Sequence, residues 1–483
     1  MKIKDNAQPD VKVTINDKEI VVPYGITILD AARKNNIDIP TLCYHEDLHA
    51  SGSCRLCLVE IEGQRVLQSS CTFPITQSIN IKTNTPNILN ARKNALRLLL
   101  ANNNVDCDTC SKERNCKLQA LAKEYNIELS NKHNDFEKKY DIDDSAYVIR
   151  DMNKCILCGN CVQVCQEIQS VNILSKNGRG KDTKISTVLD LPLKDTSCIN
   201  CGQCINRCPT GALTEREYIQ EIKKAISDPN KYVVIQTAPA PRAALGECFG
   251  LDPGTSVTFE MNTALKQVGF DQVFDTNFSA DLTILEEGTE LILRLYEAIV
   301  NKKSTIALPQ FTSCSPGWVK YVEHFYPQYI PNLSSAKSPQ QMLGALIKTF
   351  FAKKNNIDPS NIVSVSLMPC LAKKYESNRE EMCDSGYKDV DYSLTTRELG
   401  KMLLQEGINI KELKKTDFYI PFGIPTGSGL IFGATGGVME SALRTVLELV
   451  TGIAVEKLFL DGDIKPVRGF EGIKYAEVFY KIK

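Results

Sequence analysis

Val11, Val13 and Ile15 alternate with Lys12 and Thr14; the run breaks at Asn16, Asp17 and Lys18, and Glu19, Ile20, Val21 and Val22 take it up again. Apolar side chains at every second position, interrupted by turn formers, predict a β-hairpin. The stretch TILDAARKNN changes to helical spacing, with Thr27 placed to cap its first turn. A second helix is predicted by ILNARKNALRLLLANN. Further on, EREYIQEIKKAISDPNK reads as a linker helix leading into the apolar strand YVVIQTAPAP, after which strand and helix patterns alternate in the manner of an α/β layer architecture. No apolar run approaches the roughly 18 to 20 residues a membrane helix needs, and MKIKDNAQPD has no apolar signal core. The pattern predicts a soluble, cytoplasmic protein with no membrane insertion.

A chain of 483 residues exceeds a single ordinary core and is expected to be multidomain, of mixed α+β and α/β class. Its 57 Lys and Arg nearly cancel its 58 Asp and Glu, so no strong field points to nucleic acid or an anionic membrane. Proteins and small molecules are the expected partners. The nineteen cysteines are odd in number and grouped in tight CxxC units, fifteen of them before residue 209. That usage fits metal ligation in a reducing compartment and not a disulfide framework.

The first group, in CYHEDLHASGSCRLC and just beyond, is Cys43, Cys54, Cys57 and Cys71. Four thiolates can hold a 2Fe-2S cluster, and a structural zinc ion would accept the same four. Gly52 beside the central pair fits a loop that passes close to inorganic sulfide. The second group, CDTCSKERNC, supplies Cys107, Cys110 and Cys116 and needs a fourth ligand. His133 is the nearest downstream imidazole, although a lone histidine in the polar stretch SNKHNDFEKK is more often merely solvated. The third and fourth groups each read CxxCxxCxxxC, the spacing of two-cluster ferredoxins, in which the last cysteine of each run ligates the other cluster. Cys155, Cys158 and Cys161 then share a 4Fe-4S cluster with Cys208, and Cys198, Cys201 and Cys204 share one with Cys165. Pro209 fits the pattern after the second run, whereas Gln166 replaces the proline after the first without removing a ligand. A line of one-electron centres conducts electrons and by itself makes no bonds.

Residues 10–85, with their hairpin and helix, resemble the β-grasp, ferredoxin-like domain of hydrogenases and of the large iron-sulfur subunit of complex I. Residues 86–125 resemble the small helical domain of the same two families, where a histidine four positions before the first cysteine completes a 4Fe-4S cluster. Here that position is Asn103. A neutral amide is a poor iron ligand, so this site is expected to be completed by water or a distant group, to hold a three-iron cluster, or to hold none. Residues 145–220 form the predicted two-cluster domain. Within residues 230–483, TAPAPRAALGECFG, FTSCSPGWVK, NLSSAKSPQQMLGALIKTFF, SLMPCLAKKYE, YSLTTRELGKML and GLIFGATGGVMESALRTVLEL together resemble the catalytic domain of FeFe hydrogenases.

That resemblance implies a six-iron active cluster held by four cysteines: one in TSCCP, one in MPC and two in a later Cys- and Gly-rich motif. Cys370 matches the MPC ligand, but the TSCCP ligand position is Ser315, and no cysteine follows Cys383. The domain is accordingly expected to be truncated and to lack the six-iron cluster. Cys248 and Cys383 are expected to pack as small apolar side chains and not to bind iron. The family's proton route matches Cys314, Glu287, Ser334 and Glu290, and Lys373 matches a residue in contact with the active cluster. Without the metal these positions are vestigial, and a helix bearing Glu287 and Glu290 also reads as a solvated face. GATGG fits neither phosphate-binding fingerprint.

The resemblance thus implies an electron-transfer subunit of a multisubunit oxidoreductase, with one 2Fe-2S cluster, two 4Fe-4S clusters and a further cluster at Cys107, Cys110 and Cys116. Its implied partners are a flavin-containing NADH-oxidising subunit, a small thioredoxin-like 2Fe-2S subunit, ferredoxin in electron-bifurcating assemblies, and a terminal enzyme such as formate dehydrogenase. The competing expectation is a working FeFe hydrogenase whose missing ligands are supplied by another chain or lost through an incomplete C-terminus.

Overall fold

The computed structural model describes residues 9–113, 115–129, 140–433, 436–452, 465–467 and 470–475. Two compact units emerge: residues 1–198 with 202–216, and residues 199–201 with 217–483.

In the first unit, β1 (Val11–Ile15) and β2 (Lys18–Val22) form the predicted antiparallel hairpin, Val13 facing Ile20 across it. Asn16 and Asp17 take positive φ at its tip, the geometry that matches the twist of a two-residue hairpin loop. Three further strands, β3 (Leu58–Ile61), β4 (Gln68–Ser69) and β5 (Asn80–Lys82), complete a sheet of order β2-β1-β5-β3-β4. The helix Ile28–Lys34 starts where Thr27 accepts the Asp30 amide, and it buries Ile28, Leu29, Ala31 and Ala32. A second helix, Pro86–Ala101, is capped by Thr85. It is tied to β3 by buried Arg92, whose Nη2 donates to the Leu58 carbonyl at 2.8 Å. Beyond it, β6 (Val148–Arg150) pairs with β9 (Leu213–Glu215), and the hairpin β7 (Ser175–Asn177) and β8 (Lys184–Ser186) lies between them in sequence.

The second unit is built on four parallel strands, β10 (Tyr232–Thr237), β11 (Gln272–Asp275), β12 (Ile362–Met368) and β13 (Tyr392–Thr395), in the order β11-β10-β12-β13. Both faces are covered, as a parallel sheet requires. Val233, Ile235, Val365 and Leu367 pack with Met261, Leu265, Leu399 and Met402 on one side. Val234 and Phe274 meet Leu343, Ile347 and Phe351 on the other. The carboxyl ends of β10 and β12 run into Ala238-Pro239 and Pro369-Cys370, the strand ends where open α/β sheets place ligand sites. Among the described residues no helix is long and apolar enough to cross a membrane.

Candidate iron-sulfur sites

Cys43 follows the first helix, Cys54 and Cys57 lie just before β3, and Cys71 follows β4, so the five-stranded sheet and its loops carry all four cysteines. All four are buried, and Gly52 beside them has φ +60°. Their sulfurs form two pairs: Cys43 Sγ lies 3.3 Å from Cys54 Sγ, and Cys57 Sγ lies 3.3 Å from Cys71 Sγ. The hydrogen bond within each pair holds Cys43 and Cys57 below the usual thiol range and pushes Cys54 and Cys71 above it. A metal centre bound here must displace the protons of Cys54 and Cys71, leaving four thiolates as ligands. One tetrahedral zinc would take all four thiolates at a single ion. Two separate pairs suit two irons with two thiolates each, so the donor set fits a 2Fe-2S group.

The second pocket brings together residues the chain separates widely: Asn103, Cys107, Cys110 and Cys116 line it with Lys154, Thr210 and Gly211. Asn103 is buried just after the second helix, and Cys116 stands at the start of the helix Lys117–Glu124. Burial pushes the Cys107 and Cys116 thiols up. His133 lies outside the described residues. Gly211 has no side chain to keep the backbone off Cys110: a Cβ there would stand 2.7 Å from Cys110 Sγ and 3.3 Å from Lys154 Cδ. Burial lowers the Lys154 pKa, but its hydrogen bond to Asp106 and the nearby Cys110 sulfur outweigh that pull, leaving it above the ordinary value. The ammonium stays charged.

Cys155, Cys158, Cys161 and Cys208 line one cavity, with Met152, Ile185 and Leu213 as its apolar wall. Burial is the chief cause that raises Cys155 to about 11, Cys158 to about 12 and Cys161 well above the thiol range, so metal must displace their protons. The backbone winds alike in both runs. Leu157 and Asn200, each before a second cysteine, have φ of 57° and 54°, and Gly159 and Gly202, each after it, have 85° and 72°. Only glycine adopts that last conformation without strain. Cys165 sits in the π-turn Val164–Ile168. Cys43, Cys54 and Cys158 share an apolar cluster with Leu56, Leu96 and Leu118, which Cys116 packs against, so three of the cysteine groups abut one dry patch of the first unit.

In the α/β unit, Cys314 precedes Ser315, which is exposed and begins the helix Pro316–Phe325 without a side-chain capping bond. Lys373, three residues beyond Cys370, donates to the Cys314 carbonyl at 2.8 Å and to Glu376 Oε2 at 2.8 Å. Burial pushes the Cys314 thiol up while the Lys373 ammonium opposes it. Glu287 is not on a solvated face: it is buried, and burial pushes its carboxyl up to about 7. Neither of its oxygens makes a regular hydrogen bond among the described residues, although the Ser313 amide and Ser334 hydroxyl lie close enough to oppose the shift. Ser334 Oγ donates to Glu290 Oε2 at 2.7 Å, and Arg294 grips Glu290 Oε1 through Nε and Nη2 at 3.1 and 2.6 Å. Cys383 is exposed and not packed away as a small apolar side chain, whereas Cys248, though exposed as a residue, turns its sulfur to Gly400, where a Cβ would stand 2.7 Å from it. The chemistry of Lys154 and Gly211 was not apparent in sequence: the only signal was their position beside Cys155 and Cys208.

Comparison with known proteins agrees in order along the chain. A 2Fe-2S iron-sulfur cluster binding domain matches residues 8–86, the NADH-ubiquinone oxidoreductase-G iron-sulfur binding region residues 92–130, and a 4Fe-4S dicluster domain residues 154–212. The C-terminal domain of the iron only hydrogenase large subunit matches residues 231–483. The NADP-reducing hydrogenase subunit HndD of Solidesulfovibrio fructosivorans is 48% identical over 96% of this chain and 80% of its own length. Iron hydrogenase 1 of Clostridium pasteurianum is 38% identical over 96% of this chain and 79% of its own. One of the NADH-quinone oxidoreductase subunits of Rhizobium meliloti is 39% identical over 43% of this chain and 24% of its own.

Proposed function

Since the chain belongs to the iron-only hydrogenase large-subunit family, we propose that it is an iron-sulfur electron-transfer subunit that does not carry the six-iron active cluster. The observation that carries this reading is Ser315, which offers a hydroxyl where the family pattern has a ligating thiolate. A serine hydroxyl holds its proton far more tightly than a thiol and is a poor match for iron-sulfur centres. The donor set at Cys314, Ser315 and Cys370 therefore does not fit that group, and no step is assigned to it.

The other cysteine groups offer thiolate donors. In this reading Cys43, Cys54, Cys57 and Cys71 hold a 2Fe-2S cluster, and Cys107, Cys110 and Cys116 hold a further cluster beside Asn103. Cys155, Cys158, Cys161 and Cys208 hold one 4Fe-4S cluster, and Cys198, Cys201, Cys204 and Cys165 hold another. Bound clusters supply one-electron steps; the protein supplies deprotonated sulfur, apolar walls that exclude water, and amide donors such as Leu157 N–H to Cys155 Sγ at 3.4 Å. Electron-transfer subunits need a source and a sink. The likeness to parts of an NADP-reducing hydrogenase and an NADH-quinone oxidoreductase supports a multisubunit setting. We assign as partners a flavin-containing NADH-oxidising subunit, a thioredoxin-like 2Fe-2S subunit, ferredoxin in an electron-bifurcating assembly, and a terminal oxidoreductase such as formate dehydrogenase, in the cytoplasm.

One observation favours a second reading, a catalytic hydrogenase: Cys314, Glu287, Ser334 and Glu290 are all retained, with Glu287 buried near Cys314. The test is to produce the chain with the hydrogenase maturation factors and supply reduced viologen. The proposal expects EPR signals of 2Fe-2S and 4Fe-4S clusters, electron transfer to a co-purifying oxidoreductase, and no hydrogen. Infrared bands of iron-bound carbon monoxide and cyanide, or hydrogen above a no-protein control, overturn it in favour of the second reading.

A further inference from the structure

We propose that Lys154, held against Cys110 by the bare backbone of Gly211, is a positioning residue whose charge raises the electron affinity of the group bound at Cys107, Cys110 and Cys116. This rests on the reading that a cluster binds there. Lys154 adjoins Cys155 in sequence, but its side chain turns to the other pocket, which it lines with the three cysteines, Asn103, Thr210 and Gly211. Its side chain is only 14% exposed, so water screens the charge poorly. Its Nζ is fixed by Asp106 Oδ1 at 3.0 Å and Asp151 Oδ2 at 3.7 Å. Its stem runs past Gly211, where a Cβ would lie 3.3 Å from Lys154 Cδ and 2.7 Å from Cys110 Sγ. The Thr210 hydroxyl fixes the backbone beneath it, donating to the Lys154 carbonyl at 2.7 Å.

Each electron that arrives adds negative charge to the bound group, and a fixed ammonium on the pocket that the three cysteines line favours that reduced form. The two carboxylates that position the ammonium make the effect steeper on its removal. Lys154→Met keeps the apolar stem and leaves Asp106 and Asp151 uncompensated beside the site.

The experiment is an EPR-monitored redox titration of the full chain, comparing wild type, Lys154→Met and Lys154→Arg, with Cys110→Ser to identify the signal that belongs to this site. Lys154→Met is expected to disfavour reduction of that signal at least about tenfold, a fall of about 59 mV for one electron, with iron content unchanged and Lys154→Arg close to wild type. A Lys154→Met potential equal to wild type at normal iron content overturns the inference and leaves the cluster reading intact. Equal losses of signal in Lys154→Met and Lys154→Arg also overturn it, since packing and not charge would then be at work. Absence of any signal sensitive to Cys110→Ser overturns the cluster reading and the inference together.

Discussion

Glu287→Gln tests whether the buried carboxyl of the α/β unit is held in the protonated form near neutral pH. Glu287 is 3% exposed, and burial raises its carboxyl from 4.5 to about 7. Between those values the folded chain keeps a proton that the unfolded chain has released, so the native state binds more protons and stability must fall as pH rises through that window. Below 4.5 both states are protonated and above about 7 both are ionised, so the loss is confined to the interval between. At about 1.4 kcal/mol for each pH unit of separation, ionising Glu287 in place costs about 3 kcal/mol.

Glutamine has the same shape and cannot ionise, so the variant should match wild type near about pH 4 and exceed it by up to about 3 kcal/mol near about pH 8.5. The contact from Gln310 Nε2 is to the Glu287 backbone carbonyl and survives the change. The direct assay is infrared titration: a protonated-carboxyl band with a midpoint at about 7 in wild type, absent in the variant. Denaturant midpoints of the α/β unit at the two pH values supply the energetic half. A carboxyl titrating at the ordinary value of 4.5, or a variant whose pH dependence follows wild type, would refute the reasoning.

Lys374 and Glu398 form a fully buried ion pair, with Nζ 2.7 and 2.6 Å from the two carboxylate oxygens. Lys374→Met strands a buried carboxylate and should destabilise the α/β unit by about 3 to 5 kcal/mol; Lys374→Met with Glu398→Gln should recover only part of it, because the Glu398 oxygens also accept the Tyr218 and Thr395 amides and a glutamine NH2 must face one of them. Equilibrium denaturation measures both. Asn103→His places an imidazole on the pocket of Cys107, Cys110 and Cys116 and should raise iron per chain and convert the site's EPR signal to that of a complete four-iron cluster. Unchanged iron and spectra would show that the site is already complete or does not form.

What the sequence made legible was local or periodic. The hairpin of β1 and β2, the Thr27 cap and the alternation of strand and helix after Tyr232 depend on neighbours within a few positions, and the structure has all three. The spacing rule that crosses the two ferredoxin runs spans more than forty residues, yet it anticipates Cys208 on the cavity of Cys155, Cys158 and Cys161 because ligand spacing there encodes a fixed geometry. Other features had no such signal. Glu286, Glu287 and Glu290 look alike in a charged stretch, and only the packing of the helix Asn277–Leu295 distinguishes the one that is buried. Nor can local pattern announce that Gly211 leaves room for Cys110, since the requirement is close approach and not backbone conformation.

The two glutamates of the retained proton route differ in what keeps them. Glu290 accepts from Ser334 and from the Ser335 amide, and it anchors Arg294, which donates in turn to the carbonyls of Ala307, Pro331 and Leu333. Removing it would leave a largely buried guanidinium without its counter-charge and loosen two loops, so structure alone accounts for Glu290. Glu287 has no comparable return. Its carboxyl costs about 3 kcal/mol when ionised and makes no regular hydrogen bond to offset that cost. A chain keeping this helix for packing alone would be served better by glutamine or leucine. The weight of the catalytic reading therefore falls on Glu287, and that of the electron-transfer reading on Ser315. The infrared titration bears on the first; the search for carbon monoxide and cyanide bands bears on the second. A carboxyl that titrates near 7 in a chain that assembles no six-iron cluster would separate proton exchange at Glu287 from hydrogen chemistry.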